Sequence, residues 1–422
     1  MNAQWRLLLA QISRRLWFRS ALYGVGAAVA ALVGVIARPW LPTGMAAHIG
    51  ASAVGSLLNI LASSMLAVTT FSLSTMVSAY TAASSGATPR AATLLIEDAA
   101  AQRALASFIG AFLFSIVGLI ALNSGIYGES GRVVLFAATV VMIVIIVVTL
   151  LRWIDQLSRL GRVTETIDRV EQVTRQAMQS AVQAPHLQAM PYTEPSAGAQ
   201  AITATQTGYI TYIDVADLQA LADEHEARIW CEVRAGAFMA PGEVLAKVTV
   251  PLDDDTTRRL RKAFVTGDTR NFQEDPRFGL IVLTEIAQRA LSPAVNDPGT
   301  AIDILGTVTR LLCNFASARM QAAQNTDDDA PRYERVYVQA PDEAGFFDDV
   351  FAPLARDAAP LLEVDIKLHK SLATLGGLGY PPYRALAARH ARRALELSAP
   401  RLPLEDDRRQ LATIAEWADE TA

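Results

Sequence analysis

Four long stretches of hydrophobic residues dominate the first part of the chain, and they lie at residues 22–37, 46–85, 105–123 and 133–151. A helix that crosses the hydrocarbon core of a bilayer needs roughly 20 mainly apolar residues. The pattern therefore predicts a transmembrane region of four helical spans within residues 1–151. The first stretch also fits a secretory signal peptide, but no clear cleavage site of small residues precedes Pro39, which favours an uncleaved span.

The hydrophobic pattern changes after this region. Apolar side chains recur at helical spacing over residues 152–184, which predicts a juxtamembrane stalk that packs against copies of itself or against the domain below it. Residues 185–207 are rich in Pro, Ala, Gln and Ser and are predicted to be a linker. Short β-branched and aromatic runs predict strands over residues 208–253, and residues 254–422 are predicted to be mainly helical.

The strand-rich segment contains the run V-R-A-G-A-F-M-A-P-G-E-V-L-A-K-V, in which Gly236 and Gly242 separate short strands. It resembles the half-barrel of biotinyl and lipoyl carrier domains. The Met-Lys-Met hairpin of those carriers is missing from the sequence, so we expect a scaffold or docking module and no cofactor. The predicted fold class is mainly α: a four-span transmembrane helical region, followed by a cytosolic α+β domain with a small half-barrel β-module.

The composition indicates that the N-terminal part belongs in the lipid bilayer and the C-terminal part in water. Of the 422 residues, 51% are hydrophobic and only 19% are charged, whereas about 25% are charged in a typical soluble protein. Residues 1–151 carry eight Arg and no Lys against three acids, and the rest of the chain has ten more acids than bases. A single soluble domain is therefore excluded. A nucleic-acid binder is excluded as well, because neither part has a strong basic surplus.

The placement of arginines predicts the orientation of the spans. Four Arg precede the first span, Arg90 and Arg103 separate the second from the third, and Arg152, Arg159 and Arg162 follow the fourth. The other two connections hold one Arg each. Since cytoplasmic segments carry the excess of Lys and Arg, we expect a multi-pass protein of the bacterial inner membrane with both termini in the cytoplasm.

The second stretch, residues 46–85, is too long for one simple span. As a continuous helix it would measure about 60 Å, roughly twice the hydrocarbon thickness, so part of it must project or bend. Nine of the fourteen Ser, Thr and Asn residues between positions 52 and 85 fall within one 100° arc of a helix. These residues are Ser52, Ser56, Asn59, Ser63, Thr70, Ser74, Thr81, Ser84 and Ser85.

This polar stripe has two interpretations. It lines a water-filled pore formed by several copies of the chain, with the first seven of its residues as the pore-lining candidates. Alternatively, it lets helices pack closely and form hydrogen bonds with one another. In the pore interpretation Arg90, Glu97 and Asp98 lie at the cytoplasmic mouth, where acids attract cations. In the other, they occupy an ordinary solvated helix face.

A second group of polar residues lies in the C-terminal part of the chain. It extends along one predicted helix and into the connection to the next. Its members are Arg270, Asp275, Glu285, Arg289, Ser292, Asn296 and Asp297. An enzymatic interpretation would use Glu274 with the three acids of this group as a metal or acid–base cluster. Turns held by helix caps and Arg–carboxylate pairs explain the same residues without any reaction.

Little else in the sequence points to catalysis. The five histidines are scattered, and none lies in the polar region just described. Cys231 and Cys313 belong to no zinc or dithiol motif, and no phosphate-binding loop or Ser elbow occurs. We therefore predict no catalytic residue and no metal site.

Three runs of the chain resemble a bacterial family of predicted integral membrane proteins described as a domain of unknown function. They are F-S-L-S-T-M-V-S-A-Y-T-A-A-S-S-G-A-T-P-R, D-A-A-A-Q-R-A-L-A-S-F-I-G-A-F-L-F and D-P-R-F-G-L-I-V-L-T-E-I-A-Q-R-A-L-S-P-A-V-N-D-P-G-T-A. The resemblance covers most of the chain and implies four N-terminal spans followed by a cytosolic region. It implies no activity.

The leading functional hypothesis is a homo-oligomeric inner-membrane channel or channel-like transport protein with a cytosolic regulatory domain. Its partners would be the lipid bilayer, further copies of the chain and ions, without nucleic acid. The alternative is a membrane-anchored scaffold or sensor whose cytosolic domain binds a partner. A membrane-embedded enzyme ranks third, because the sequence contains no recognisable catalytic constellation.

Overall fold

The computed structural model describes residues 18, 21–29, 51–96, 98–125, 128–159, 161–324 and 331–421. The chain divides into two compact units, Met1–Thr166 and Ile167–Ala422. Helices predominate in both units, and all strands among the described residues lie in the second. The predicted mainly α fold class is confirmed at this level.

The first unit is helical throughout its described part. Residues 21–29 form a helical segment. The longer helices that follow are α1 (Ala51–Gly86), α2 (Pro89–Ile96), α3 (Ala99–Asn123) and α4 (Gly128–Arg159). Among the described residues, three helical stretches are long and apolar enough to cross a membrane: Ser52–Gly86, Ala100–Asn123 and Gly131–Ser158. Half of the predicted first span, residues 30–37, lies outside the described residues, so the total of four spans remains a prediction.

Helices α1 and α3 run antiparallel through the apolar part of the first unit. Leu122 approaches Gly55, and Leu58 lies against Gly118. Glycine permits this close approach of two helices because it presents no side chain at the contact. Further along α1, Met65 and other buried apolar residues pack with Phe108 of α3.

The end of α4 is fixed to α1 by one buried hydrogen bond. The indole Nε1 of Trp153 donates to the hydroxyl of Ser72 over 2.9 Å, and both side chains are buried. After α4 the chain turns at Gly161, whose φ of +84° is one that L side chains rarely adopt. This glycine lies against the backbone of Ala79 on α1.

The second unit begins within helix α5 (Val163–Gln183). From Ile167 onwards, the apolar residues of α5 are largely buried inside this unit. Thr174 packs so tightly on Gly279 that any larger residue at position 279 would collide with it. The predicted stalk could pack against copies of itself or against the domain below it. Residues 167–183 pack against that domain.

Among the described residues of the second unit, eight strands form two sheets. They are β1 (Ala189–Pro191), β2 (Gln200–Thr203), β3 (Gly208–Ile213), β4 (Ile229–Cys231), β5 (Phe238–Met239), β6 (Val244–Val248), β7 (Phe264–Gly267) and β8 (Tyr333–Val338). The five-stranded sheet has the order β1-β8-β4-β6-β2, in which β1 and β4 run parallel to β8. The three-stranded sheet has the order β5-β3-β7 and is antiparallel.

The half-barrel predicted for residues 208–253 is not confirmed. Gly236 and Gly242 have the positive φ angles expected of tight turns. However, the strands of this segment are divided between the two sheets, and strands from outside the segment complete both sheets. Two of these outside strands, β1 and β2, lie in the predicted linker, where three or four residues are too few to show a periodic pattern.

The remaining helices of the second unit are α6 (Val215–Glu224), α7 (Asp254–Ala263), α8 (Pro276–Ala290), α9 (Pro298–Gln324), α10 (Glu343–Ala358), α11 (Leu362–Gly376), α12 (Pro381–Ser398) and α13 (Glu405–Ala415), followed by a 3-10 turn at Glu416–Thr421. Aspartate side chains cap the N-termini of several of them, as at Asp253, Asp275 and Asp342. Aromatic rings of α9, α10 and α12, including Phe315, Phe347 and Tyr383, fill the core of the last helices.

Candidate functional site: the polar face of helix α1

All seven predicted pore-lining residues lie on the exposed side of α1. Ser52, Ser56, Asn59, Ser63, Thr70, Ser74 and Thr81 are each exposed at the surface of the chain. The opposite side of the helix, with Leu58, Met65 and Met76, is buried against the rest of the first unit. The polar face therefore takes no part in packing among the residues that the structure describes.

The polar face repeats every eleven residues. Serine occurs at positions 52, 63, 74 and 85, and Asn59 is followed at the same interval by Thr70 and Thr81. The buried side follows the same period through Val54, Met65 and Met76. Eleven residues occupy slightly more than three whole turns of an α-helix. The repeat therefore keeps the polar residues on one side over the full length of α1.

Four hydroxyl groups of this face donate to carbonyl groups of their own helix. Those of Ser63, Thr70, Thr81 and Ser85 donate to the backbone carbonyl four residues earlier, over 2.9 to 3.0 Å. Such bonding uses the hydroxyl hydrogen and leaves lone pairs of the oxygen available. The polar face can therefore accept hydrogen bonds from water, or coordinate a cation, without a fixed charge.

Asn59 differs from these hydroxyl residues. Its carboxamide forms no hydrogen bond with any residue that the structure describes, and it is exposed. The neighbouring residue, Leu58, contacts Gly118, five residues before the end of α3 at Asn123. Asn59 thus lies at the depth of the apolar part of α3. Contact of a free amide with hydrocarbon there would cost several kcal/mol.

The three predicted mouth residues have different environments. Arg90 is exposed at the start of α2. Asp98 is only 4% exposed, caps α3 through the backbone N–H of Ala100, and accepts a hydrogen bond of 2.9 Å from the Gln156 amide of α4. Glu97 lies outside the described residues. Asp98 thus connects α3 with α4, and the mouth function of all three residues stays a prediction.

In the second unit, Arg270 and Asp275 form a structural joint. Arg270 Nε donates to the Asp275 carboxylate over 2.6 Å, and Asp275 caps α8 through the N–H of Phe278. Asp275 is 3% exposed, and a side chain at Gly236 would collide with it. The ion pair therefore holds the turn at Gly236 against the start of α8.

Sequence reasoning missed two arginines that complete this joint. Arg277 forms a two-pronged pair with Asp349, at 2.7 and 3.0 Å, and also bonds to Asp342. Arg234 donates to the carbonyls of Pro185 and Gln339. Burial lowers the pKa of Arg234 to about 10. No local pattern could have revealed these partners, because they lie between 49 and 105 residues away in the chain.

The other members of the polar group lie along α8 and the turn that follows it. Glu285 is half-buried, whereas Arg289, Asn296 and Asp297 are exposed. The Ser292 hydroxyl donates to the carbonyl of Arg289. Since α8 is about 22 Å long at 1.5 Å per residue, its two ends cannot form one cluster.

Asp297 is the N-terminal cap of α9. It accepts hydrogen bonds from the hydroxyl of Thr300 over 2.6 Å and from its backbone N–H over 3.1 Å, and these bonds lower the pKa of Asp297. Asn296, immediately before it, has a φ of +51°. Among the described residues, no three His, Cys, Asp or Glu side chains are grouped so that they could hold a metal ion.

Residues 13–374 match a family described as "Predicted membrane protein (DUF2254)". The protein belongs to this family. The match confirms the family resemblance that the three sequence runs indicate, and it agrees with the three long apolar helices of the first unit. It covers most of each unit.

Uncharacterized proteins of Mycobacterium bovis and Mycobacterium tuberculosis are 35% identical to the chain over 118 residues. The similarity covers 26% of this chain and 22% of each relative, so the chain spans about a fifth of the length of the curated relatives that it matches. No solved structure matches the chain.

Proposed function

We propose that the protein is a homo-oligomeric channel or channel-like transport protein of the bacterial inner membrane, with a pore lined by the polar face of α1. The observation that supports this most is the outward-facing carboxamide of Asn59 at the depth of the apolar part of α3. In a single chain this group would meet lipid. Several copies around an axis would give it water or another polar group instead.

The proposal includes a fourth span over residues 22–37, with both termini in the cytoplasm and the second unit as a cytosolic regulatory domain. The described part of that segment supports it, since residues 21–29 are helical and Tyr23 lies against Gly110 in the middle of α3. Labelling of single cysteines from either side of the membrane tests the orientation. An N-terminus labelled from outside would contradict it.

Ion flux through liposomes that contain the purified protein tests the channel. We expect a potassium or sodium flux above that of empty liposomes. Thr70→Leu and Ser63→Leu should each lower it roughly tenfold, because an apolar constriction excludes water from a pore. The control is Ser64→Leu, which makes the same change one residue away, at an exposed position outside the polar face.

Two outcomes would count against the pore. One is the absence of flux in every salt tested from an intact oligomer. The other is loss of the oligomer in the Ser63 and Thr70 variants but not in the Ser64 variant, which would assign the polar face to packing between copies.

A membrane-anchored scaffold or sensor is the second candidate. The turn between α8 and α9 favours it, because Arg289, Val295, Asn296 and Asp297 are exposed together and Asn296 holds an unfavourable backbone angle. A photo-crosslinking amino acid at Val295 of the full chain would then capture one defined protein in membranes, and leucine substitutions on α1 would leave this capture unchanged.

A further inference from the structure

Helix α11 buries an acid and an imidazole one turn apart. Asp365 and His369 are both 0% exposed, and His369 Nε2 lies 3.7 Å from the nearer Asp365 oxygen. Neither carboxylate oxygen and neither ring nitrogen has a hydrogen-bond partner among the described residues. The proposed channel gives neither residue a function.

The helices around α11 leave the pair isolated from other charges. The polar group that approaches Asp365 is the hydroxyl of Ser398 on α12, which itself donates to the carbonyl of Ala394. Several charged side chains of the other packing helices pair elsewhere: Arg310 and Arg319 of α9 with Glu171 and Glu343, Asp348 of α10 with Arg389 and His390, and Arg408 of α13 with Glu405. Within α11, the Lys367 ammonium lies near Gly306 of α9.

An isolated charge in such a place is expensive. A carboxylate removed from water without a partner loses its hydration and gains nothing in return, and the same holds for an imidazolium. Burial accordingly raises the pKa of Asp365 to about 6 and lowers the pKa of His369 to about 4. Both shifts favour uncharged side chains.

We propose that Asp365 and His369 form a proton-binding site that takes up one proton as a unit in the folded protein. The proton comes from solvent, adds to the Asp365 carboxylate, and is shared with the facing His369 nitrogen. The charge of the pair changes from −1 to 0. A small rotation of either side chain converts the 3.7 Å separation into a hydrogen bond.

The two residues have opposite effects on stability as the pH changes. A raised folded-state pKa gives Asp365 a contribution that is fully present below its ordinary value of 3.8 and is lost as the pH rises through about 6. A lowered folded-state pKa gives His369 a contribution that is present above 6.5 and is lost as the pH falls through about 4. Together they leave the stability nearly constant between these limits.

Single substitutions should separate these effects. In full-length protein, hydrogen exchange of the α11 and α12 amides is measured between pH 4 and pH 7 and corrected for the intrinsic exchange rate. His369→Gln should lose protection as the pH rises, Asp365→Asn should lose it as the pH falls, and each change should reach roughly a hundredfold. Ser371→Ala, which removes another buried hydroxyl of α11, should show the flat wild-type profile.

Infrared spectroscopy gives a second measurement that does not depend on stability. In the difference spectrum of the wild type minus Asp365→Asn, the carbonyl stretch of one protonated carboxyl should appear near pH 5 and weaken at pH 8. Flat exchange profiles in both single variants would overturn the proposal, because a bridging water would then satisfy the charged pair. Absence of the carbonyl signal at pH 5 would overturn it as well.

Discussion

Helices α1 and α11 place polar side chains in opposite and equally unusual positions. Helix α1 exposes a row of hydroxyl groups at the depth of an apolar bundle, whereas α11 encloses Asp365 and His369 in a packed core. A hydroxyl can satisfy itself by donating to the carbonyl one turn earlier, as Thr70 does. A carboxylate has no proton to donate, and a single imidazole cannot replace its hydration. The exposed hydroxyls of α1 therefore cost little free energy, whereas the stability of the buried pair of α11 depends on whether it binds a proton.

The largest expected loss of stability comes from placing a second acid beside Asp365. His369→Glu would place two carboxyl groups in one buried site without a cation. We expect the free energy of unfolding to fall by about 3–5 kcal/mol at pH 7, the cost of an uncompensated charge in a protein core. Denaturant unfolding of the detergent-solubilised protein measures this. A loss below about 1 kcal/mol would show that water already reaches the pair.

An intermediate effect should come from the buried hydrogen bond between α4 and α1. Ser72→Ala removes the acceptor of the Trp153 indole and leaves its N–H buried without a partner. The expected loss is about 1 kcal/mol, since hydrogen bonds between membrane helices are modest. Thermal unfolding in detergent measures it. Ser78→Ala, at an exposed position of α1, is the control and should change nothing.

The smallest effect is expected on the polar face itself. Thr70→Val removes a hydroxyl that bonds only to its own helix among the described residues. The unfolding temperature should therefore change little, corresponding to less than about 0.5 kcal/mol. A loss of stability above about 1 kcal/mol would mean that the hydroxyl bonds to another copy of the chain. The polar side chains of α1 would then matter for stability, as the buried pair of α11 does.

Much of the first unit could be predicted because its signals are local. The apolar stretches within α3 and α4 match the length of a span, and the hydroxyls of α1 recur at helical spacing. The exposure of all seven candidate side chains could not be predicted, because the same pattern suits a helix that packs through its polar face.

The second unit was less predictable because its decisive contacts join distant segments. Arg277 finds Asp349 across 72 residues, and β8 lies between two strands that come much earlier in the chain. In the sequence, His369 is one of several scattered histidines, and it was not predicted to belong to a site. A signal for the pair was present, since the two residues are four apart in a predicted helix and must share one face.

The eleven-residue period of α1 has a consequence for assembly. A heptad repeat makes helices wind around each other to the left, whereas a repeat of eleven gives a gentle right-handed twist. Copies of α1 arranged around a pore axis, with Ser52, Ser63, Ser74 and Ser85 facing that axis, would follow this second course. Successive serine layers would lie about 16 Å apart along the axis, so that a displacement of one copy by a single layer would bring serine opposite serine again.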